Sequence, residues 1–153
     1  MNITALGAGA MGDLFGGRLA EARHQVVLLD IRAEQVEAIH HDGLRIEDDE
    51  GERTVRLPAR LANDEPGGPC ELVLLLTKAH HSDAALVAST AIFGPDTWVL
   101  TLQNGLGVVE HIRERVHPGR IVAPRPCRAT WRILPFVSMI LMLQLRRPCK
   151  RPW

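Results

Sequence analysis

Short apolar runs alternate with stretches of helical apolar spacing along most of the chain. Asn2–Leu6 is an apolar run that stops at Gly7, and Ala10–Ala22 then carries apolar residues at helix-like intervals, which predicts strand, glycine turn and helix. Gln25–Leu29 is a second run, too short for a helix and bounded by Asp30 and Arg32, so it predicts a buried parallel strand. Val36, Ala38 and Ile39 place a helix over Ala33–His41, ended by Asp42-Gly43. From Leu44 to Leu57 the pattern alternates on either side of Asp48-Asp49-Glu50-Gly51, which predicts a hairpin with an exposed acidic tip. Pro66-Gly67-Gly68-Pro69 marks a loop. Beyond it the pattern predicts a strand at Glu71–Leu76, a helix over His80–Phe93 ended by Gly94-Pro95, a strand at Trp98–Leu102, a helix over Gly107–Val116 and a short strand at Arg120–Ala123.

Strands alternating with helices call for a mostly parallel sheet covered on both faces, that is, a doubly wound α/β fold. The 153 residues suit one ordinary domain, and 46% hydrophobic with 24% charged residues is a globular composition. No internal repeat is evident.

Charge divides the chain in two. All 18 acidic residues and 11 of the 18 basic ones lie in residues 1–123, which therefore carry −7, whereas residues 124–153 carry +7 and no acid. That tail also holds Cys127, Cys149, Trp131, Trp153 and half of the ten prolines. The expected division is a dinucleotide-binding domain over residues 1–123 and an atypical, basic, Pro-rich tail over 124–153. Cysteines at 70, 127 and 149 form no close pair and no zinc spacing, so a reducing, cytoplasmic setting and no metal are expected. The N-terminus lacks a basic region followed by a long apolar core, and the apolar run 133–145 is shorter than a membrane span, so neither a leader nor a membrane anchor is expected.

The sharpest motif is Gly7-Ala8-Gly9-Ala10-Met11-Gly12, a G-x-G-x-x-G between a predicted strand and a predicted helix. Gly7 permits the tight turn, Gly9 lets backbone approach a pyrophosphate, and Gly12 lets the helix pack on the strand. The helix start then favours the anion through its free N–H groups and dipole. Asp30 follows at the end of the second strand, 18 residues beyond Gly12, where an acid meets the adenosine ribose hydroxyls and repels a 2′-phosphate. Arg32 could instead clamp a 2′-phosphate. Asp30 would equally suit a helix cap, and Arg32 a solvated surface.

Two further clusters close strands at the same sheet edge. In Leu76-Thr77-Lys78-Ala79-His80, Lys78 can neutralise a cofactor phosphate or polarise a substrate carbonyl. In Gln103-Asn104-Gly105-Leu106-Gly107, the Asn104 amide can bond both a carboxamide and a hydroxyl, although Asn-Gly is also an ordinary turn. His80 and His81 diverge on a helix and find no third ligand.

Taken in order, Ile3–Gly12, Val36–Ile39 with Asp42–Ile46, Leu76–Ala79 and Gln103–Gly107 resemble the N-terminal, Rossmann-like domain of the ketopantoate reductase (2-dehydropantoate 2-reductase) family. The likeness covers residue 1 to about residue 123. It implies NADPH-dependent reduction of a small 2-oxo acid, 2-dehydropantoate, to pantoate on the route to pantothenate. It sets Gly7–Gly12 on the pyrophosphate, Arg32 near the 2′-phosphate, and Lys78 and Asn104 at the cofactor and substrate end. Asp30 departs from the simplest pattern, so NADP is the expected cofactor with NAD as the alternative. The family's catalytic lysine belongs to a C-terminal domain with no counterpart in these residues, so no catalytic residue is assigned and the chain alone is expected to be inactive. No nucleic acid or membrane partner is expected. The run 133–145 is expected to dock on bared surface or to drive homo-oligomer formation. The alternative reading is a dinucleotide-sensing or interaction module whose basic tail binds anionic partners.

Overall fold

A computed structural model of the chain describes residues 1–48, 51–64, 67–78, 81–103 and 108–123. Strands β1 (Asn2–Leu6), β2 (Gln25–Asp30), β5 (Ala59–Leu61), β6 (Leu72–Leu75), β7 (Trp98–Thr101) and β8 (Ile121–Val122) form one sheet in the order β5-β2-β1-β6-β7-β8. Every pairing in it is parallel. Helices α1 (Ala10–Glu21), α2 (Ala33–Asp42), α3 (Ser82–Ala88) and α4 (Val108–Arg113) connect the strands.

The near-continuous apolar strands follow from burial on both faces. Ile3, Ala5 and Leu28 pack with Leu19 of α1 and with Val36 and Ile39 of α2 in one cluster. Leu6, Leu29, Val73, Leu75 and Val99 point the other way, onto Ala85 and Leu86 of α3 and Ile112 of α4. Burying each of the Val, Leu and Ile side chains among them contributes roughly 1.5–3 kcal/mol. The fold is thus the doubly wound α/β sheet that the periodicity predicts.

The acidic hairpin is a separate antiparallel pair, β3 (Leu44–Asp48) with β4 (Gly51–Val55), in register Leu44↔Val55 to Asp48↔Gly51. Its buried residues Leu44 and Ile46 join the α1–α2 cluster, and Arg53 pairs with Glu21 of α1.

Two local readings are corrected, and one short strand is added. The helix expected over His80–Phe93 is broken: α3 ends at Ala88 and a single 3-10 turn follows at Thr90–Ile92. The Thr90 hydroxyl donates to the Val87 carbonyl at 2.8 Å, a local bond that competes with continued helix. The three-residue β5 carries too little pattern to be predicted, and it is held by parallel pairing of Leu28–Asp30 with Ala59–Leu61. Arg120 belongs to a 3-10 turn, Pro118–Arg120, before β8 begins. The tail 124–153, with its apolar run 133–145, lies outside the described residues, as do Ala79, His80 and Asn104–Gly107.

Candidate functional site

The strand order reverses between β1 and β6, so the turns leaving their carboxyl ends diverge and open a crevice there, where open α/β sheets take their ligands. The glycine-rich turn leaves β1 on one side of this crevice. Gly7 sits at φ +105°, and a Cβ on it would come within 2.9 Å of the Thr77 side chain and amide. A Cβ at Gly12 would run into the Gly7 carbonyl oxygen, so this position couples α1 tightly to the turn. Gly9 differs: a Cβ there meets no heavy atom within 4 Å, and the residue is exposed. Gly7, Ala8 and Gly12 are buried, whereas Gly9, Ala10 and Met11 face outward.

Gly9 is the N-cap of α1 and brings no side-chain cap. The first backbone bond of the helix runs from the Asp13 amide to the Gly9 carbonyl at 2.8 Å. The amides of Ala10, Met11 and Gly12 precede that bond and have no intrahelical partner. They form a small positive surface beside the open face of Gly9, the arrangement that receives a phosphate. The residues present therefore fit the pyrophosphate of a dinucleotide.

At the end of β2, Asp30 is buried, and both of its carboxylate oxygens are engaged. Oδ2 accepts from the Ala8 amide at 2.7 Å, while Oδ1 accepts from the Arg32 amide at 2.9 Å and from Arg32 Nε at 3.0 Å. Burial would raise this carboxyl, but the Arg32 side chain, the two amides and the Arg32 charge together hold it below the usual carboxylate range. Arg32 Nη2 also donates to the Ala8 carbonyl at 2.9 Å, so the guanidinium lies across the glycine turn. Asp30 and Arg32, proposed from sequence as separate contacts to a ribose and a phosphate, are here one ion pair.

Asp13 was not among the residues singled out from sequence. It stands in the first turn of α1; Oδ2 accepts from Gln35 Nε2 of α2 at 3.3 Å, and Oδ1 is buried with no hydrogen-bond partner among the described residues. Burial first, and then the charge of Asp30, push its carboxyl up to about 6, with Arg32 pulling the other way. The available signal was an acid immediately after Gly12, in a helix turn meant to receive an anion.

Across the crevice, Lys78 is exposed just beyond β6. The turn that carries it is fastened by a closed ring of side-chain bonds. Gln103 Nε2 donates to the Thr77 carbonyl and, at 3.1 Å, to Thr77 Oγ1. Thr77 Oγ1 lies 3.1 Å from Ser82 Oγ, which donates to Gln103 Oε1 at 2.8 Å. The ring ties the end of β6 and the start of α3 to the end of β7, next to Asn104. The sequence reading quoted Thr77 and Gln103 within their motifs but missed Ser82, whose partners are five and 21 residues away. Asn104 itself lies outside the described residues. Among the described residues, no three His, Cys, Asp or Glu side chains group as metal ligands, and no helix is long and apolar enough to cross a membrane.

The family model for ketopantoate reductase PanE/ApbA matches residues 3–133. Among curated relatives, a 2-dehydropantoate 2-reductase of Pyrococcus horikoshii is 41% identical over 114 residues, covering 74% of this chain and 36% of the relative. One of Streptococcus pyogenes is 35% identical over 116 residues, covering 76% of this chain and 37% of the relative. A solved structure of D-mandelate dehydrogenase with NADH and anilino(oxo)acetate superposes with a TM-score of 0.76 at 33% identity, over 82% of this chain and 40% of that one. The chain thus spans a little over a third of the length of the curated relatives it matches.

Proposed function

This chain belongs to the ketopantoate reductase family, and we propose that residues 1–123 form the dinucleotide-binding domain of a reductase that turns a 2-oxo acid into the corresponding 2-hydroxy acid. By its family the substrate is 2-dehydropantoate. The cofactor is a nicotinamide dinucleotide, NADP(H) or NAD(H), since both present the same pyrophosphate and nicotinamide. The observation that carries this reading is the open face of Gly9 beside the free amides that begin α1, at the point where the strand order reverses.

The parts divide the work by position. The amides of Ala10, Met11 and Gly12 hold the pyrophosphate, and Gly9 keeps its approach clear. Asp30 and Arg32 meet the adenosine end. Lys78, on a turn fixed by the Thr77–Ser82–Gln103 ring, supplies positive charge at the opposite end, where Asn104 would add an amide. Bound there, the reduced cofactor would supply a hydride to the 2-oxo carbon. An ammonium near that carbonyl favours the oxyanion that develops. Lys78 is the only lysine in residues 1–123, so these residues have no second ammonium to protonate the product, and binding without turnover is the behaviour expected of them. D-mandelate dehydrogenase, itself described with NADH, is a precedent for a related domain serving a different 2-oxo acid.

Titration of NADH and NADPH against the purified 153-residue chain, followed by the change in nicotinamide fluorescence, tests the reading. Saturable binding of at least one, weakened at least tenfold by Gly9→Val in a folded protein, is the expected result. Absence of saturable binding for both would overturn it.

A further inference from the structure

Which dinucleotide is taken depends on the adenosine end, and there the charges differ from those the family resemblance implies. Arg32 is the cation that the resemblance sets against a 2′-phosphate. In this structure its guanidinium is already committed: Nε to Asp30 Oδ1, and Nη2 to the Ala8 carbonyl and, at 3.4 Å, to Asp30 Oδ2. The Asp30 side chain is 8% exposed and that of Arg32 57%, so the arginine covers the carboxylate from the solvent side.

A 2′-phosphate could take those donors only by leaving the Asp30 carboxylate desolvated and short of its cation, an outcome more costly than losing a surface pair. It would also add negative charge where Asp13 and Glu34 already act on Arg32. One carboxylate, Asp30, thus holds the guanidinium directly, and the charges of Asp13 and Glu34 add to its hold before any phosphate arrives. A ribose diol asks for something different, namely an acceptor with no cation attached. The Ala8 and Arg32 amides would keep Asp30 ionised after the exposed guanidinium turned into water, and the oxygen sites it vacated would accept two hydroxyl donors.

We propose that Asp30, reinforced by Asp13, makes this chain selective for NAD(H) over NADP(H), and that Arg32 is a displaceable cover on Asp30 rather than a clamp for the 2′-phosphate. The proposal rests on the dinucleotide reading above and names which member of that class the same site takes.

Parallel titrations of NADH and NADPH at pH 8 test it on the full chain. NADH should bind at least tenfold more tightly. Asp13→Asn should narrow the NADH:NADPH affinity ratio several-fold, and Asp30→Ser should narrow it further or invert it. Arg32→Ala should change both affinities by the same factor, whereas a clamp would lose NADPH selectively. NADPH binding as tightly as NADH to the unaltered chain, or selective loss of NADPH in Arg32→Ala, would overturn the proposal while leaving the dinucleotide reading intact. Binding of neither nucleotide would overturn both. The unaltered chain alone decides the ratio, so the proposal stays testable if Asp30→Ser does not fold.

Discussion

Asp30, at the end of the second strand, accepts the amide hydrogen of Ala8, in the turn after the first, at 2.7 Å. This bond joins the group proposed to meet the adenosine to the loop proposed to hold the pyrophosphate. Ala8 is 1% exposed, so its amide has no water to turn to. Asp30→Ala should therefore destabilise the chain by about 2 kcal/mol, as expected for a buried bond to a charged group. Urea denaturation measures it, and a change under about 0.5 kcal/mol would refute the role assigned to this bond.

The two outer glycines and the middle one should separate stability from binding. Gly9 has extended backbone, φ −105° and ψ −176°, with open space around the Cβ direction, so Gly9→Val should leave thermal stability nearly unchanged and lower nucleotide affinity at least tenfold. Gly12→Ala places its methyl group against the Gly7 carbonyl and should lower stability outright. Thermal melts run beside nucleotide titrations distinguish the two, and a Gly9→Val protein that binds normally would remove the site's main support.

Asp13 and Asp30 should pull the pH dependence of stability in opposite directions. The Asp13 carboxyl titrates near 6 in the fold against an ordinary value of 3.8, so the native state holds the extra proton between those values and stability falls as pH rises from about 4 to 6. Asp30 is displaced downward, so its contribution is present above 3.8 and is lost as pH falls through the lower native value. Asp13→Asn should thus stabilise the chain at pH 7, on the order of 1 kcal/mol at a half-buried site, with the gain shrinking toward pH 4. Denaturant midpoints of both proteins from pH 4 to 8 check this, and a gain independent of pH would contradict it.

Two fully buried serines seven residues apart should respond with opposite signs. Ser82 closes the ring with Gln103 and Thr77, and Ser82→Ala should cost about 1–2 kcal/mol and speed amide exchange in the Thr77–Lys78 turn. The Ser89 hydroxyl is buried with no partner among the described residues, so Ser89→Ala should be neutral or stabilising by up to about 1 kcal/mol. Equal losses at both sites would mean that the ring has no special part in holding the turn under Lys78.

Local pattern was enough to read strand β1, the Gly7–Gly12 turn and helix α1, because each rests on residues adjacent in the chain and on backbone conformations that few side chains permit. The end of α2 was legible for the same reason: Gly43 adopts φ +79° immediately after Asp42. Asp30 and Arg32 could be picked out by offset, but their union could not, since spacing offers a carboxylate to a ribose and a guanidinium to a phosphate without saying that each has taken the other. Asp13 acquires its shifted titration only when α2 and the end of β2 close over it, and Ser82 becomes part of the crevice only when β7 is laid beside β6. Covalent order settled most of the elements and the glycine turn proposed to hold a pyrophosphate. The charge at the end of β2, and the support beneath Lys78, were decided by groups that meet only in the folded sheet, where burial strengthens every pairing and penalises every polar atom left without one.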